Sequence, residues 1–168
     1  MGGVVEGIFI AERSGEPMRP VTEVTGEAGR GLLGDRHCRP DPLTTLDPSC
    51  GLSAPPHHQV QDLSLVEAEV LDALRDEHCI DLTGAETRRN LVTRGIRLNG
   101  LVGRRFFIGG LLCEGVELCE PCVSIQRQTG KPVLKPLVHR GGLYARIVTS
   151  GTIRVGDGIA PVDSAVGA

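Results

Sequence analysis

"RRFFIGGLLCEGVEL", Arg104 to Leu118, sets two apolar runs on either side of the pair Gly109-Gly110. A two-residue glycine loop between β-prone segments is a hairpin signal, because glycine supplies the positive φ that a tight hairpin turn demands. Two antiparallel strands are therefore predicted here. The same pattern continues towards the C-terminus. "LYARIVTSGTIRVGDGIAPV", Leu143 to Val162, gives three more short strands, divided at Ser150-Gly151 and at Gly156-Asp157-Gly158. At the other end, "VVEGIFIAE" (Val4 to Glu12) alternates loosely and suits an opening strand. Many short strands, 23 glycines and two or three short α-helices predict a mostly β fold, a closed and mostly antiparallel β-barrel. The chain reads as a single domain over residues 1–162, with a frayed tail over 163–168.

Two segments carry helical signals. In "SLVEAEVLDALRDEH" (Ser64 to His78), Ser64 and Glu67 make a capping box, and Val66, Val70 and Leu74 recur every four residues. Thr83 with Glu86 makes a second capping pair, opening a short helix over "ETRRNLVTRG" that Gly95 closes. Between strands and helices lies "CRPDPLTTLDPSCGLSAPPHH" (Cys38 to His58), rich in Pro, Ser and Asp and without an apolar period. It reads as a long surface loop.

Composition narrows the function. Of 168 residues, 40% are apolar but only 2% aromatic, with no Trp and one Tyr, Tyr144. The core must be aliphatic, and recognition by stacking bases on aromatic side chains is not expected. A net charge of −3 also argues against a general polyanion binder, so no nucleic-acid partner is expected. No apolar run approaches the ~20 residues of a membrane span, and the start lacks the basic and apolar regions of a signal peptide. The expected location is cytoplasmic, where six cysteines read as thiols rather than a disulfide framework.

The hairpin leads into "LCEPCVSIQRQTG" (Leu118 to Gly130), with Cys119 and Cys122 three apart. A structural zinc site needs four ligands, and this is half a set, so no structural zinc is expected. A thioredoxin-like pair belongs between a strand and a helix of a βαβ unit, whereas a hairpin precedes this one. Pro121 suits the first turn of a helix, with Gly130 as its C-terminal cap. Cys122 then lies in that first turn, where free N–H groups favour a thiolate. Cys119 ends the preceding strand and packs. Cys122 is the candidate catalytic thiol.

Basic residues supply the rest of the candidate site. Arg88, Arg89 and Asn90 fall on or beside the second helix; "HRGGLYAR" places His139 and Arg140 before Gly141-Gly142, a pair that lets backbone N–H groups approach a ligand. In "GLLGDRH", Arg36 and His37 follow Gly34 in a turn. Arginine forks bind phosphate or carboxylate bidentately, and either His37 or His139 could serve as acid/base. The expected partner is a small anionic ligand held by Arg36, Arg88, Arg89, Asn90, Arg140 and Gly141.

The order "GLLGDRH", "QDLSLVEAEVLDAL", "TRRNLVTRGIRLNGLVGRRFFIGG", "LCEPC", "HRGG", "SGTIRVGDGI" resembles a MOSC domain, the module at the C-terminus of molybdenum-cofactor sulfurases and also a small stand-alone bacterial protein. The resemblance spans roughly Val4 to Pro161. It implies a β-barrel, a functional cysteine at Cys122, and handling of sulfur or of a molybdenum–pterin cofactor, with Cys122 as the molybdenum ligand where that cofactor is bound. The expected function is binding or sulfuration of that cofactor. Two alternatives stand beside it: a C–S lyase or sulfurtransferase acting on a small anionic sulfur-containing metabolite with Cys122 as nucleophile, and a non-catalytic sulfur-carrier module. A homodimer is open under each.

Overall fold

The computed structural model describes residues 2–39 and 61–162. Most of the predicted loop 38–58, with His57 and His58, and the tail 163–168 lie outside the described residues. Among the described residues eleven strands run in chain order: β1 Gly3–Ile10, β2 Arg19–Val21, β3 Glu23–Glu27, β4 Gly31–Leu32, β5 Leu63–Glu67, β6 Leu91–Arg94, β7 Arg105–Ile108, β8 Leu111–Leu118, β9 Leu143–Thr149, β10 Gly151–Arg154 and β11 Gly158–Pro161. Two helices join them, α1 Ala68–His78 and α2 Val123–Thr129. Seven strands close into a barrel in the order β11-β7-β8-β9-β5-β6-β1, with β1 pairing back onto β11. Strand β2 extends β1 outside the ring, and β10-β3-β4 form a small second sheet.

The predicted hairpin is there. Ile108 pairs with Leu111 across Gly109-Gly110, and Gly109 has φ +54°. Period-two alternation places Phe106 and Ile108 of β7, Leu111 and Cys113 of β8, and Leu143, Ala145 and Ile147 of β9 inside the barrel. Phe107, between two core residues, points out and is exposed. The three strands read at the C-terminus are β9, β10 and β11.

Both helical expectations need correction. Ser64 does not cap a helix: residues Leu63–Glu67 form β5, and α1 starts only at Ala68. Leu63 and Leu65 face the barrel core, while Val66 packs on the other side with Ala68 and Val92. A strand covered on both faces reads as a continuous apolar run, which periodicity cannot tell from a buried helix. The Glu67 carboxylate accepts from Leu98 N–H at 2.9 Å instead of closing a capping box. The Thr83–Glu86 pair does form, with Thr83 N–H to Glu86 Oε2 at 2.8 Å and Glu86 N–H to Thr83 Oγ1 at 3.3 Å. It opens only one 3-10 turn, Ala85–Thr87, after which the chain becomes β6. Gly95, expected to cap a helix, follows that strand at φ +83°.

Strands β5 and β6 are parallel and joined through α1, the one parallel strand pair among the described residues. This crossover lays α1 against the outside of the barrel. Val70 and Leu74 of α1 pack with Ile80, Leu82, Ile125 of α2, Val133 and Leu137 in a second core. That core fixes where α2 starts, and therefore where Cys122 stands. No described helix is long and apolar enough to cross a membrane.

Candidate functional site

Strand β8 ends at Leu118, and Cys119 follows it, fully buried, its N–H donating to Gly142 O at 2.8 Å. Burial pushes the Cys119 thiol up to about 12, despite the Arg89 charge and the Tyr144 hydroxyl beside it. Cys122 differs in every respect. It is exposed and is the N-cap of α2, one position before the helical turn expected for it, so Pro121 precedes the cap rather than occupying the first turn. Gly130 ends the helix at φ +67°, as expected. Partial burial raises the Cys122 pKa, but the N–H groups of Ile125 and Ser124, the Ser124 hydroxyl and the Arg89 charge outweigh it and hold the thiol below its ordinary value. These groups act on the sulfur at a distance, since no capping hydrogen bond closes on the side chain. Both cysteines are free thiols, in different surroundings.

Cys122 lines a cavity of about 350 Å³ with Arg36, His37, Arg88, Arg89, Asn90 and Tyr144. The three arginines reach it from two turns. Arg36 follows β4; its guanidinium lies 3.6 Å from Asp35 Oδ1 and donates to Met18 Sδ at 2.8 Å. Asp35 itself is buried and pins the turn, accepting Ala11 N–H at 3.1 Å and His37 N–H at 3.2 Å. Arg88 sits at φ +60° just after the 3-10 turn and donates to Glu16 O at 2.8 Å. Arg89 is buried, donates from Nε to Gly141 O at 3.1 Å and from Nη1 to the Tyr144 hydroxyl at 3.3 Å, and lies 5.5 Å from the Tyr144 ring centre. Among the described residues the one carboxylate in the wall, Asp62, is already held by Arg39 and by Ile147 N–H at 2.7 Å. Three guanidinia against one paired carboxylate give the described wall an excess of positive charge.

His37 stands in this wall. Lost hydration, then the charge of Arg36, lowers its pKa from the ordinary value. A histidine held below ~6.5 is neutral at pH 7 and can accept a proton. The structure does not bring His139 or Arg140 to this cavity. Both line a separate, smaller cavity of about 70 Å³ with Glu67 and Arg97, and His139 pairs with Glu120 at 2.9 Å. Gly141 and Gly142 serve backbone packing, not ligand approach. A Cβ on Gly141 would lie 2.0 Å from Cys119 O, and one on Gly142 2.0 Å from Leu65 O. Asn90 lines the cavity, but its Oδ1 is taken by Ser64 N–H at 3.1 Å and the Ser64 hydroxyl at 3.2 Å, and its Nδ2 donates to Phe9 O at 3.2 Å. Its polar atoms tie β5, β6 and β1 together.

Tyr144, Ser124, Gln61 and Gln128 also line the cavity, and sequence reading missed them. For Tyr144 a signal existed: it is the one tyrosine of an aromatic-poor chain. Among the described residues no three His, Cys, Asp or Glu side chains group as metal ligands. The soft donor at the cavity is Cys122.

Comparison with known proteins agrees with this barrel. The chain matches the YuaD protein of Bacillus subtilis at TM-score 0.74 and 19% identity, over 95% of this chain and 94% of that one. YiiM of Geobacillus stearothermophilus matches at TM-score 0.70 and 15% identity, over 98% of this chain and 77% of that one. YiiM of Escherichia coli matches at TM-score 0.64 and 16% identity, over 97% and 70%. At these identities the likeness is one of fold. A search of curated proteins returns no significant match. The family model that matches is the MOSC domain, over residues 54–160. With the barrel, the cysteine after β8 and a match over more than half its length, the chain belongs to the MOSC domain family.

Proposed function

We propose that this protein handles sulfur on a small anionic ligand, with the Cys122 thiolate as the acting group. One observation carries the reading: an exposed thiol held below its ordinary pKa opens onto a cavity walled by Arg36, Arg88 and Arg89. The thiolate is the nucleophile and the soft ligand, and the guanidinia hold the anion in place. In sulfur transfer the Cys122 thiolate attacks the outer sulfur of a persulfide R–S–SH. The S–S bond breaks, its electron pair leaves on R–S⁻, and Cys122 becomes a persulfide without net oxidation. His37, neutral at pH 7, can take the persulfide proton and leave the terminal sulfur nucleophilic.

The family points to a molybdenum–pterin cofactor as one such ligand. The donor set fits it: Cys122 would ligate the metal, and Arg36, Arg88 and Arg89 would hold the phosphate. When bound, that group would supply a thiophilic metal able to carry exchangeable sulfur.

The test is to incubate freshly purified protein with glutathione persulfide and map the cysteines by mass spectrometry. One added sulfur atom on Cys122, and none on the exposed Cys79, is the expected result. Equal labelling of the two, or full sulfur uptake by a Cys122→Ser variant, would overturn the reading. Molybdenum content of the same sample identifies the cofactor arm. A second reading, cleavage of a C–S bond with Cys122 as nucleophile, is favoured by His37 standing in the same wall as a proton acceptor. It predicts release of free thiol from an anionic thioether, with the displaced carbon group, and no added sulfur, carried on Cys122.

A further inference from the structure

A second cavity, also about 350 Å³, adjoins the first, and Arg88 and Gln128 line both. Its own walls come from Pro17, Met18, Ala85 and Thr129. Met18 links the two as well, since its sulfur takes an N–H from Arg36 in the first cavity at 2.8 Å. Through these shared side chains the two cavities stand next to each other, as two lobes.

The lobes differ in chemistry. The first carries three guanidinia and the thiol. In the second, both oxygens of the Glu86 carboxylate accept from Lys131 Nζ, at 2.9 and 2.8 Å, and Oε2 also accepts the Thr83 N–H at 2.8 Å, so its charge is neutralised. Arg88 stands on the shared wall with one N–H held by Glu16 O. Apart from the Gln128 amide on the shared wall, what remains is uncharged: Gly15, the Pro17 ring, the Met18 thioether, the Ala85 methyl group and Thr129. A cavity of about 150 Å³ already accepts a benzene ring, so the second lobe has room for a ring or a chain of several carbons.

We infer that the second lobe binds an uncharged, partly apolar extension of the ligand whose anionic, sulfur-bearing head sits against the arginines beside Cys122. The inference rests on the anion-binding reading above and deepens it: the ligand class is an anionic head with an apolar tail, not a bare small anion. Arg88 and Gln128 then contact the ligand at the junction of head and tail. Ala85, in the 3-10 turn Ala85–Thr87, sets how much tail fits.

The experiment is calorimetric titration of the wild-type protein with methanesulfonate, hexane-1-sulfonate and 6-ammoniohexane-1-sulfonate. Each buried methylene strengthens binding about fourfold, so partial burial of the longer chain should tighten hexane-1-sulfonate by at least about tenfold over methanesulfonate. The terminal ammonium would have to shed its water in an apolar lobe and should return the affinity to the methanesulfonate level. Ala85→Phe, which fills the lobe, should erase the chain-length dependence. Equal affinity for the short and long sulfonates overturns the second lobe alone. So does full retention of affinity by the ammonium probe, or of the chain-length gain by a folded Ala85→Phe protein. Binding of none of the three overturns the anion-binding reading and this inference with it.

Discussion

Brief alkylation at neutral pH should separate Cys122 from Cys119 by a factor that the structure sets. Burial places the Cys119 thiol at about 12, and Cys122 lies below the ordinary value of 9.0. Taking 9.0 for Cys122 as a floor on its acidity, the difference is a factor of about 1,000 in thiolate fraction at pH 7. The more basic thiolate is intrinsically the better nucleophile, and a Brønsted slope of about 0.4–0.5 returns roughly 20-fold of that factor. Acidity alone therefore predicts Cys122 alkylating at least about 50-fold faster than Cys119, and the full burial of Cys119 can only widen the ratio. The assay is peptide mapping after timed iodoacetamide exposure, with exposed Cys79 as the reference thiol. Cys122 should also outpace Cys79. A Cys122/Cys119 ratio below about tenfold would refute the reasoning, because it would leave no room for the acidity difference.

The rate of Cys122 alkylation should fall as pH is lowered, because protonation removes the thiolate, with a midpoint below 9.0; a midpoint at or above that value contradicts the helix-start environment. Arg89→Ala should weaken anion binding and also lower the melting temperature, since it strips the partner from the buried Gly141 carbonyl, at a cost of about 1–3 kcal/mol; an unchanged melting temperature would show the carbonyl finds another donor. Cys119→Ser should cost on the order of 1 kcal/mol in denaturant unfolding and leave persulfide formation intact; equal loss of function in Cys119→Ser and Cys122→Ser would indicate a working pair. Gly141→Ala should destabilise by more than about 2 kcal/mol and slow Cys122 alkylation, because the new Cβ meets Cys119 O and must displace the segment leading to Cys122.

Local chemistry was legible from the sequence wherever one short stretch settles it. Gly109-Gly110 sets the β7–β8 turn, Gly130 stops α2, and Thr83 with Glu86 closes its reciprocal caps. Each depends on residues a few positions apart. The same capping pair also shows the limit, since it opens one turn and the next residues join β6. There, pairing with β5 on one side and β1 on the other outweighs helix propensity. Ser64 fails for the same reason: its segment has strand partners on both edges, β6 and β9.

The candidate site divides along the same line. The preference for Cys122 over Cys119 as the candidate thiol rests on Pro121, the polar turn after it and Gly130, all within one stretch. The choice between His37 and His139, and the separation of Arg36, Arg88 and Arg89 from Arg140, had no such local signal. His139 is closer to Cys122 along the chain, yet the small sheet β10-β3-β4, with Asp35 holding Ala11 N–H after β1, brings the turn after β4 to the cavity, while His139 pairs with Glu120 instead. Turn and cap energies depend on neighbours in sequence, so the sequence alone determined the hairpin and the candidate thiol at the start of α2. Which cations and which histidine share that thiol's cavity depends on strand pairing across tens of residues, and only the closed barrel decided it.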